Sequence, residues 1–353
     1  MRVLVTGGAG FVGANLSIQL AGRHPDWQLV AFDNLHRRGS ELNVPRLRMA
    51  GVSFAHGDIR EPTDLWDIGE LDAIVECSAE PSVMGGLRSD ADYIVRTNLL
   101  GAHHCLELAR EHEAQLVFLS TSRVYPVESQ NALNYQERET RFELEPGQPF
   151  EGVSEMGISE RFPLHGARTL YGATKLAAEL LITEYAAAFG LRAAIDRFGV
   201  IAGPWQMGKA DQGVFSHWMI NHYFRRPLTY FGYGGSGKQV RDLISIDDVV
   251  DLVEQQLLDP DHWAGFVGNA GGGREISLSL LETTELCREL TGNEIEIPGD
   301  PKTRAGDVPI YLSDCDLLYG QTDWRPKRRP REILEAIFLW VRDNERAIER
   351  ALG

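Results

Sequence analysis

Val3-Leu-Val-Thr-Gly-Gly-Ala-Gly-Phe-Val-Gly13 is the stretch that decides the fold of this chain. Its first four residues are apolar or β-branched and predict a short buried strand. The glycines at 7, 10 and 13 follow in the spacing G-x-x-G-x-x-G, and residues 14–21 have the apolar spacing of a helix. A strand, a glycine turn and a helix in this order present backbone N–H groups to a pyrophosphate. We therefore expect a dinucleotide to contact Gly7, Gly10, Phe11, Val12 and Gly13.

The next predicted strand supplies a carboxylate at the spacing that such a site requires. Residues 28–32 are mostly apolar and lead to Asp33, twenty residues after Gly13. A carboxylate at this point accepts hydrogen bonds from both hydroxyls of an adenosine ribose, which favours NAD as the cofactor. Arg37 and Arg38 follow closely and are able to hold a 2′-phosphate, so NADP stays open as the alternative.

The composition is that of a soluble globular protein. The chain has 353 residues, of which 43% are hydrophobic and 24% charged, and its net charge is −16. Because an acidic chain without a basic block repels nucleic acid, we expect no nucleic-acid partner. No run of about 18 apolar residues is present to span a membrane, and the first strand begins too early for a cleavable signal. These features predict a cytoplasmic protein.

The spacing of cysteine and histidine gives no sign of a metal site. The cysteines lie far apart and form no C-x-x-C pair, so reduced thiols are the simplest interpretation. No H-E-x-x-H or similar cluster occurs, and the pair His103-His104 is interpreted as helix surface or core. We therefore expect no metal cofactor. The cysteines are Cys77, Cys105, Cys287 and Cys315.

Strand-like and helical segments alternate through the first half of the chain. This alternation predicts an α/β fold with a doubly wound parallel sheet of the Rossmann type. We expect residues 1–196 to form the NAD-binding domain, with 243–270 returning to it, and 197–353 to form mainly a smaller, interleaved substrate domain. The predicted strands are 2–6, 28–32, 52–55, 72–76, 115–120 and 191–198, and the predicted helices are 11–22, 41–50, 91–112, 171–189 and 332–341.

A second group of polar residues follows the fifth predicted strand. Tyr171 and Lys175 are four apart on a predicted helix and share one face. An ammonium beside a phenol stabilises the phenolate, which lets the tyrosine act as a base near neutral pH. A hydroxyl of Thr121 or Ser122, at the end of the strand, can bond the substrate oxygen during the proton transfer. Ligands of open α/β sheets bind at these carboxyl ends of strands.

These motifs resemble the extended short-chain dehydrogenase/reductases and, within them, the nucleotide-sugar epimerases and dehydratases. The resemblance runs nearly from end to end and includes Arg241-Asp-Leu-Ile-Ser-Ile-Asp-Asp248. It implies an enzyme with the catalytic residues Thr121, Tyr171 and Lys175. Thr121 is chosen because the family's residue lies four before the tyrosine matched by Tyr125. The resemblance also implies contacts with the cofactor. Asp58 and Ile59 are expected beside adenine and Lys175 on the nicotinamide ribose, and the other implied cofactor residues are Asn34, Ser78, Ala79 and Asn98.

A narrower resemblance points to the CDP-paratose 2-epimerase branch of this family. It implies inversion of carbon 2 of a CDP-sugar through a transient keto sugar, by a homodimer, and carbon 4 of a UDP-hexose is the alternative. The substrate residues that it implies are Ser122, Arg123, Gln212, Arg241 and Arg304. The short matches that carry it are 32–39, 120–125, 137–141, 211–213 and 237–242.

Some stretches depart from the family's pattern. Residues 75–81 (Val-Glu-Cys-Ser-Ala-Glu-Pro) replace a His-Leu-Ala-type turn, Pro126 replaces a glycine, and residues 197–204 lack the common Asn-Val-Tyr-Gly-Pro form. Ser122-Arg123 stands where the dehydratases have an Asp-Glu pair. Because an elimination needs a second group there to move a proton, this departure disfavours a dehydratase.

Two alternatives remain open at this level. Arg241 and Arg304 suit a diphosphate because a guanidinium binds phosphate bidentately, yet either arginine is also able to form an ordinary ion pair with Asp242 or Asp307. For the whole protein, the alternatives to an epimerase are a net NAD-dependent dehydrogenase and a non-catalytic dinucleotide-binding sensor.

Overall fold

The computed structural model describes residues 1–86, 91–209 and 212–352. The strands in these ranges are β1 (Arg2–Thr6), β2 (Gln28–Asp33), β3 (Ser53–His56), β4 (Ala73–Glu76), β5 (Gln115–Thr121), β6 (Tyr135–Glu137), β7 (Phe142–Leu144), β8 (Val153–Ser154), β9 (Gly157–Ile158), β10 (Ala193–Phe198), β11 (Val200–Ala202), β12 (Tyr230–Phe231), β13 (Val240–Ser245), β14 (Phe266–Ala270), β15 (Ser277–Ser279), β16 (Gly299–Asp300) and β17 (Ile310–Tyr311).

The α-helices in the same ranges are α1 (Phe11–Arg23), α2 (Asn43–Met49), α3 (Pro62–Trp66), α4 (Ala91–Val95), α5 (Gly101–Glu111), α6 (Val127–Asn131), α7 (Leu170–Phe189), α8 (Val214–Tyr223), α9 (Ile246–Leu258), α10 (Pro260–Trp263), α11 (Leu280–Thr291), α12 (Asp316–Gln321), α13 (Pro330–Asp343) and α14 (Glu345–Leu352). A π-helical turn, Arg96–Leu100, joins α4 to α5.

The large sheet has β1 near its centre. Its order across the described residues is β14-β10-β5-β4-β1-β2-β3, and each neighbouring pair is parallel. The strand order reverses beside β1, because the chain first runs outward to β2 and β3 and then crosses back to β4 and β5. The predicted doubly wound parallel sheet is confirmed, and the predicted strands agree with the observed ones to within two residues.

Helices cover both faces of the large sheet, as a parallel sheet that is buried on both sides requires. On one face α1 and α9 pack together, with Leu16 and Val249 fully buried. On the other face α5 and α7 pack, with Leu106 and Ile182 buried. The carboxyl ends of β1, β2, β4 and β5 therefore emerge at one edge, between the two helical layers.

A smaller sheet of β11, β13, β15 and β17 lies in the second half of the chain, and β13 pairs with each of the other three strands. Helices α8, α11 and α13 pack around it. Of the predicted return segment 243–270, β14 joins the large sheet and α9 covers it. Residues 243–245, by contrast, end β13 in the smaller sheet, because their backbone groups pair with β11. Strand β10 also continues to Phe198, past the expected boundary at 196.

In the described ranges no helix is long and apolar enough to cross a membrane. Nor do those residues contain a group of three or more His, Cys, Asp or Glu side chains placed to hold a metal ion. The cysteines are free thiols, and all but Cys77 are buried. The ring of His104 bonds the carbonyl oxygen of Ile59 at 2.9 Å, and His103 lies 3.3 Å from the hydroxyl of Tyr185.

A buried carboxyl group makes the stability of this fold depend on pH. Asp196 lies on β10 with no exposed surface. Its Oδ1 accepts a hydrogen bond of 2.8 Å from Gln256 of α9, and its Oδ2 has no partner among the described residues. Burial raises the pKa of Asp196 to about 7. An unfolded aspartate has a pKa of about 3.9. Between that pH and about pH 7, the folded state therefore holds a proton that the unfolded state has lost.

We expect Asp196→Asn to remove much of this pH dependence, because asparagine resembles the protonated acid. The stabilisation is fully present below the pKa of the unfolded state and is lost as the pH rises through about 7. From about pH 5 to about pH 8, the unfolding free energy of the variant should rise relative to the unsubstituted protein by roughly 3 kcal/mol. Urea unfolding at the two pH values measures this, and a difference independent of pH would contradict it.

Candidate active site

The turn between β1 and α1 is built by the close approach of the two elements. Gly7 has a φ of +61°, and the N–H of Gly10 donates to its carbonyl oxygen at 2.9 Å. A Cβ on Gly13 would overlap that same carbonyl oxygen and would lie 2.8 Å from the Cα of Gly8. No described side chain caps α1, so the N–H groups of its first turn, beginning at Phe11, are available to a ligand.

Asp33 closes one side of this turn. Its Oδ2 accepts from the N–H of Ala9 at 3.0 Å, and its Oδ1 accepts from Leu35 at 2.7 Å. Burial raises the pKa of Asp33, and these backbone hydrogen bonds oppose the rise. Of the two arginines that left NADP open, Arg37 lines the same cleft, whereas Arg38 donates to the carbonyl oxygen of Arg350 at 3.0 Å.

The end of β3 carries a network that surrounds Asp58. Its Oδ2 accepts from Asn34 at 3.0 Å and pairs with the guanidinium of Arg60 at 2.6 Å. This guanidinium holds the pKa of Asp58 well below its usual range, and it also lies over the ring of Tyr93, 4.8 Å from the centroid. Asn34, Tyr93 and Ile59 line the cleft, whereas Asp58 does not.

One long cleft brings most of the predicted site residues together at the carboxyl edge of the large sheet. Three predicted residues, Asp58, Asn98 and Lys175, are not part of its lining. Asp211, the first residue of the predicted match 211–213, lies outside the described residues. The predicted residues that line the cleft are Gly7, Gly10, Phe11, Val12, Gly13, Asp33, Asn34, Ile59, Ser78, Ala79, Thr121, Ser122, Arg123, Tyr171, Gln212, Arg241 and Arg304.

Tyr171 lies in the first turn of α7, beside the end of β5. The hydroxyl of Thr169 caps this helix by accepting from the N–H of Gly172 at 3.2 Å. Burial raises the pKa of the Tyr171 phenol; a hydrogen bond with Thr121 and the charge of Arg123 lower it, and the carboxylates of Glu76 and Glu80 raise it. Of the two hydroxyls left open by the sequence, that of Thr121 is the one that lowers the pKa of the phenol.

Asn98 ties the segment after β4 to α7. Its Oδ1 accepts from the N–H of Glu80 at 2.8 Å, and its Nδ2 donates to the hydroxyl of Thr174 at 3.1 Å. It lies in the π-helical turn, which is a backbone form found frequently at functional sites. Asn98 thus holds the backbone of Glu80, which lines the cleft.

Lys175 has a partner that the sequence did not suggest. Its Nζ lies 3.2 Å from Oε2 of Glu76, the last residue of β4, and each side chain is 1% exposed. The same ammonium lies 3.7 Å from the ring centroid of Phe118. A signal did exist, because the acid ends the otherwise apolar strand Ala73–Glu76 within the stretch that departs from the family's pattern.

The far end of the cleft contains Arg123, Arg241 and Arg304. Arg241 pairs with Asp307 at 2.9 Å and not with Asp242, which is buried and accepts from the backbone of Ser313. The guanidinium of Arg304 lies 3.6 Å from the ring centroid of Phe231. The sequence left two alternatives for Arg241, a diphosphate ligand or an ordinary ion pair with an aspartate. Arg241 forms the ion pair with Asp307 and also lines the cleft. Phe231 was missed, and nothing but its position before Gly232 marks it.

Comparison with known proteins identifies the family of this chain. Residues 3–265 match the model of the NAD dependent epimerase/dehydratase family. The chain belongs to this family. It is 28% identical to the CDP-paratose 2-epimerase of Salmonella typhi, over 97% of this chain and 99% of the relative. It is also 28% identical to a dTDP-glucose 4,6-dehydratase of Mycobacterium tuberculosis, over 98% and 94%.

Among solved structures, the UDP-glucose 4-epimerase of Thermus thermophilus in complex with NAD superposes with a TM-score of 0.75 at 25% identity, over 97% of this chain and 99% of that one. NAD is therefore the cofactor, as predicted. The residues present fit NAD. With no side chain at Gly13, α1 packs against the turn, and the N–H groups at its N-terminus are available to phosphates. Asp33 presents a carboxylate where a 2′-phosphate would be repelled.

The contact at Gly13 can be tested directly. We expect Gly13→Ala to lose bound NAD and about 1–3 kcal/mol of stability, because the added methyl group forces the helix away from the turn. Gly22→Ala, in the same helix with nothing within 4 Å, is the matched control. It should retain NAD and gain up to about 1 kcal/mol. Chromatography of released nucleotide and thermal unfolding measure both, and NAD retained at normal occupancy by the first variant would contradict the assignment.

Proposed function

We propose that this protein is an NAD-dependent nucleotide-sugar epimerase that inverts carbon 2 of a CDP-sugar such as CDP-paratose, acting as a cytoplasmic homodimer. In this proposal residues 1–196 with the return segment hold NAD, and 197–353 mainly hold the nucleotide sugar. The observation that carries it is that Tyr171 and Thr121 line the same cleft at the end of β5. This cleft continues from the glycine turn to Arg241 and Arg304.

The proton transfer is assigned to Tyr171. As the phenolate, it takes the proton from the hydroxyl on the reacting sugar carbon and later returns it, while the Thr121 hydroxyl bonds the same oxygen. The positive charge of Arg123 favours the phenolate. Bound NAD supplies a reversible hydride acceptor, so a keto sugar forms transiently and no cofactor is consumed. Turning the keto sugar over before the hydride returns inverts the carbon.

The diphosphate is assigned to the arginine end of the cleft. A chain with a net charge of −16 repels a dianionic ligand in general, so binding needs cations concentrated at one place. Arg241 and Arg304 lie there, and their guanidinium groups suit phosphate oxygens. Ser122 and Gln212, which also line the cleft, are assigned to the sugar.

The residues after Thr121 support epimerisation over dehydration. An elimination needs one group to remove a proton from carbon and another to protonate the leaving hydroxyl. This chain has Ser122 and Arg123 at the end of β5. Glu80 lines the cleft, but its Oε1 accepts from the N–H of Ser82 at 3.1 Å and its main chain is tied to Asn98.

The substrate assignment predicts a definite product. Incubation with CDP-paratose, CDP-glucose, UDP-glucose and UDP-galactose in D₂O, read by proton NMR, should show inversion at carbon 2 of the CDP-sugar without deuterium at that carbon. Inversion at carbon 4 of a UDP-hexose would instead support the second candidate, which the similarity to the Thermus thermophilus UDP-glucose 4-epimerase favours. Deuterium at the inverted carbon would contradict a returning hydride.

The role of Tyr171 predicts a separation of binding from turnover. Tyr171→Phe should lower turnover by about 10²–10⁴-fold, since it removes the proton acceptor, and should leave NAD bound. Tyr185→Phe is the matched control, because Tyr185 lies on the same helix but contacts Glu107 and His103 outside the cleft. Unchanged turnover of Tyr171→Phe would contradict the mechanism, and absence of turnover by every variant, with NAD retained, would favour the non-catalytic sensor.

A further inference from the structure

A buried ion pair lies beneath the cleft, between the end of β4 and α7. Oε2 of Glu76 and Nζ of Lys175 are 3.2 Å apart, and each side chain is 1% exposed. The other titratable groups around the pair are the thiols of Cys77 and Cys105 and the phenol of Tyr171, and burial raises the pKa of all three. Because these thiols stay neutral, the carboxylate and the ammonium compensate each other.

A buried lysine needs such a partner to stay charged. Removal from water favours the neutral amine, by an amount that reaches several pKa units for fully buried lysines. One side of the Lys175 ammonium faces the ring of Phe118 at 3.7 Å, which contributes a weaker attraction. Unlike an arginine, whose guanidinium keeps its proton when buried, a lysine without a counter-charge loses its proton readily.

The position of the pair connects it to the cleft. Glu76 is followed directly by Cys77, Ser78 and Ala79, all of which line the cleft. Lys175 lies one helical turn after Tyr171, so the two side chains share a face of α7. The carboxylate of Glu76 also raises the pKa of the Tyr171 phenol. A change at Glu76 is therefore expected to affect both the residues at the cofactor end of the cleft and the proposed base, Tyr171.

We propose that Glu76 is a positioning residue that acts through Lys175, keeping the buried amine as an ammonium and fixing it beneath the cofactor end of the cleft. The inference rests on the proposed function and on the contact with the ribose of NAD that the family resemblance implies for Lys175. The departure at residues 75–81 then has a role, because the acid that ends β4 keeps the lysine a cation. Without it, the amine beneath the cofactor end of the cleft would be neutral, and a neutral amine is a weaker hydrogen-bond donor.

The pH dependence of NAD release tests this proposal without any sugar substrate. The holoprotein is diluted at pH values from about 6 to about 9, and released NAD is trapped by a coupled dehydrogenase in excess. In Glu76→Gln the buried ammonium has no counter-charge and gives up its proton more readily, so NAD release should accelerate by about ten-fold or more as the pH rises. In the unsubstituted protein, release should change little over this range. Failure of the sugar assignment would leave this result unaffected.

Glu179→Gln is the matched control, because Glu179 pairs with Arg197 at 2.7 Å and both are at most 5% exposed. That variant should lose stability without gaining a pH-dependent release, since the guanidinium keeps its proton. A release profile of Glu76→Gln equal to that of the unsubstituted protein, or to that of this control, would overturn the proposal.

Glu76→Asp keeps the negative charge on a side chain that is one methylene shorter. This variant tests the proposal if Glu76→Gln does not fold. It should retain NAD at high pH, because the ammonium still has its counter-charge, and it should turn over more slowly, because the ammonium is displaced. Accelerated NAD release at high pH from this variant would overturn the proposal, as would turnover equal to that of the unsubstituted protein.

Discussion

The contact between α1 and the turn before it is the constraint on which the site depends. With no side chain at Gly13, the helix packs against the backbone of Gly7 and Gly8, and its N-terminus opens directly onto the carboxyl end of β1. Since β1 pairs with both β2 and β4, the register of the sheet then fixes where Asp33 and Glu76 emerge. The next pairing outward, β4 with β5, places Thr121 at the same edge.

Charge compensation is the second feature that shapes the cleft. Asp58 is paired with Arg60, Lys175 with Glu76, and Arg241 with Asp307, so these charges in and around the cleft are compensated within the protein. Arg123 differs, because it donates to the carbonyl oxygen of Gly306 at 2.9 Å and forms no ion pair among the described residues. Burial lowers its pKa to about 10, which leaves it cationic at neutral pH. The positive charge that favours the Tyr171 phenolate therefore comes from Arg123.

Much of the fold was predictable because it is encoded locally: apolar runs, glycine turns and helix spacing located six of the seven strands of the large sheet in the described residues, all but β14. The smaller sheet was not, since β13 pairs with β11, β15 and β17 through contacts between distant segments. The same distinction holds in the site. The glycine turn and Tyr171–Lys175 are local patterns, whereas Glu76 and Lys175 are 99 residues apart. An unusual residue was visible at position 76, but its partner was not.

Overall similarity does not separate the reactions that this family performs, because the chain is 28% identical both to a 2-epimerase and to a 4,6-dehydratase. The number of protons that must be moved does separate them. Epimerisation needs one proton transferred and returned by the same group, whereas elimination also needs an acid for the leaving hydroxyl. A guanidinium with a pKa of about 10 is a much weaker acid than a carboxylic acid. With Arg123 two residues after Thr121, the segment from Ser120 to Tyr125 at the end of β5 contains no carboxylic acid for a second proton transfer.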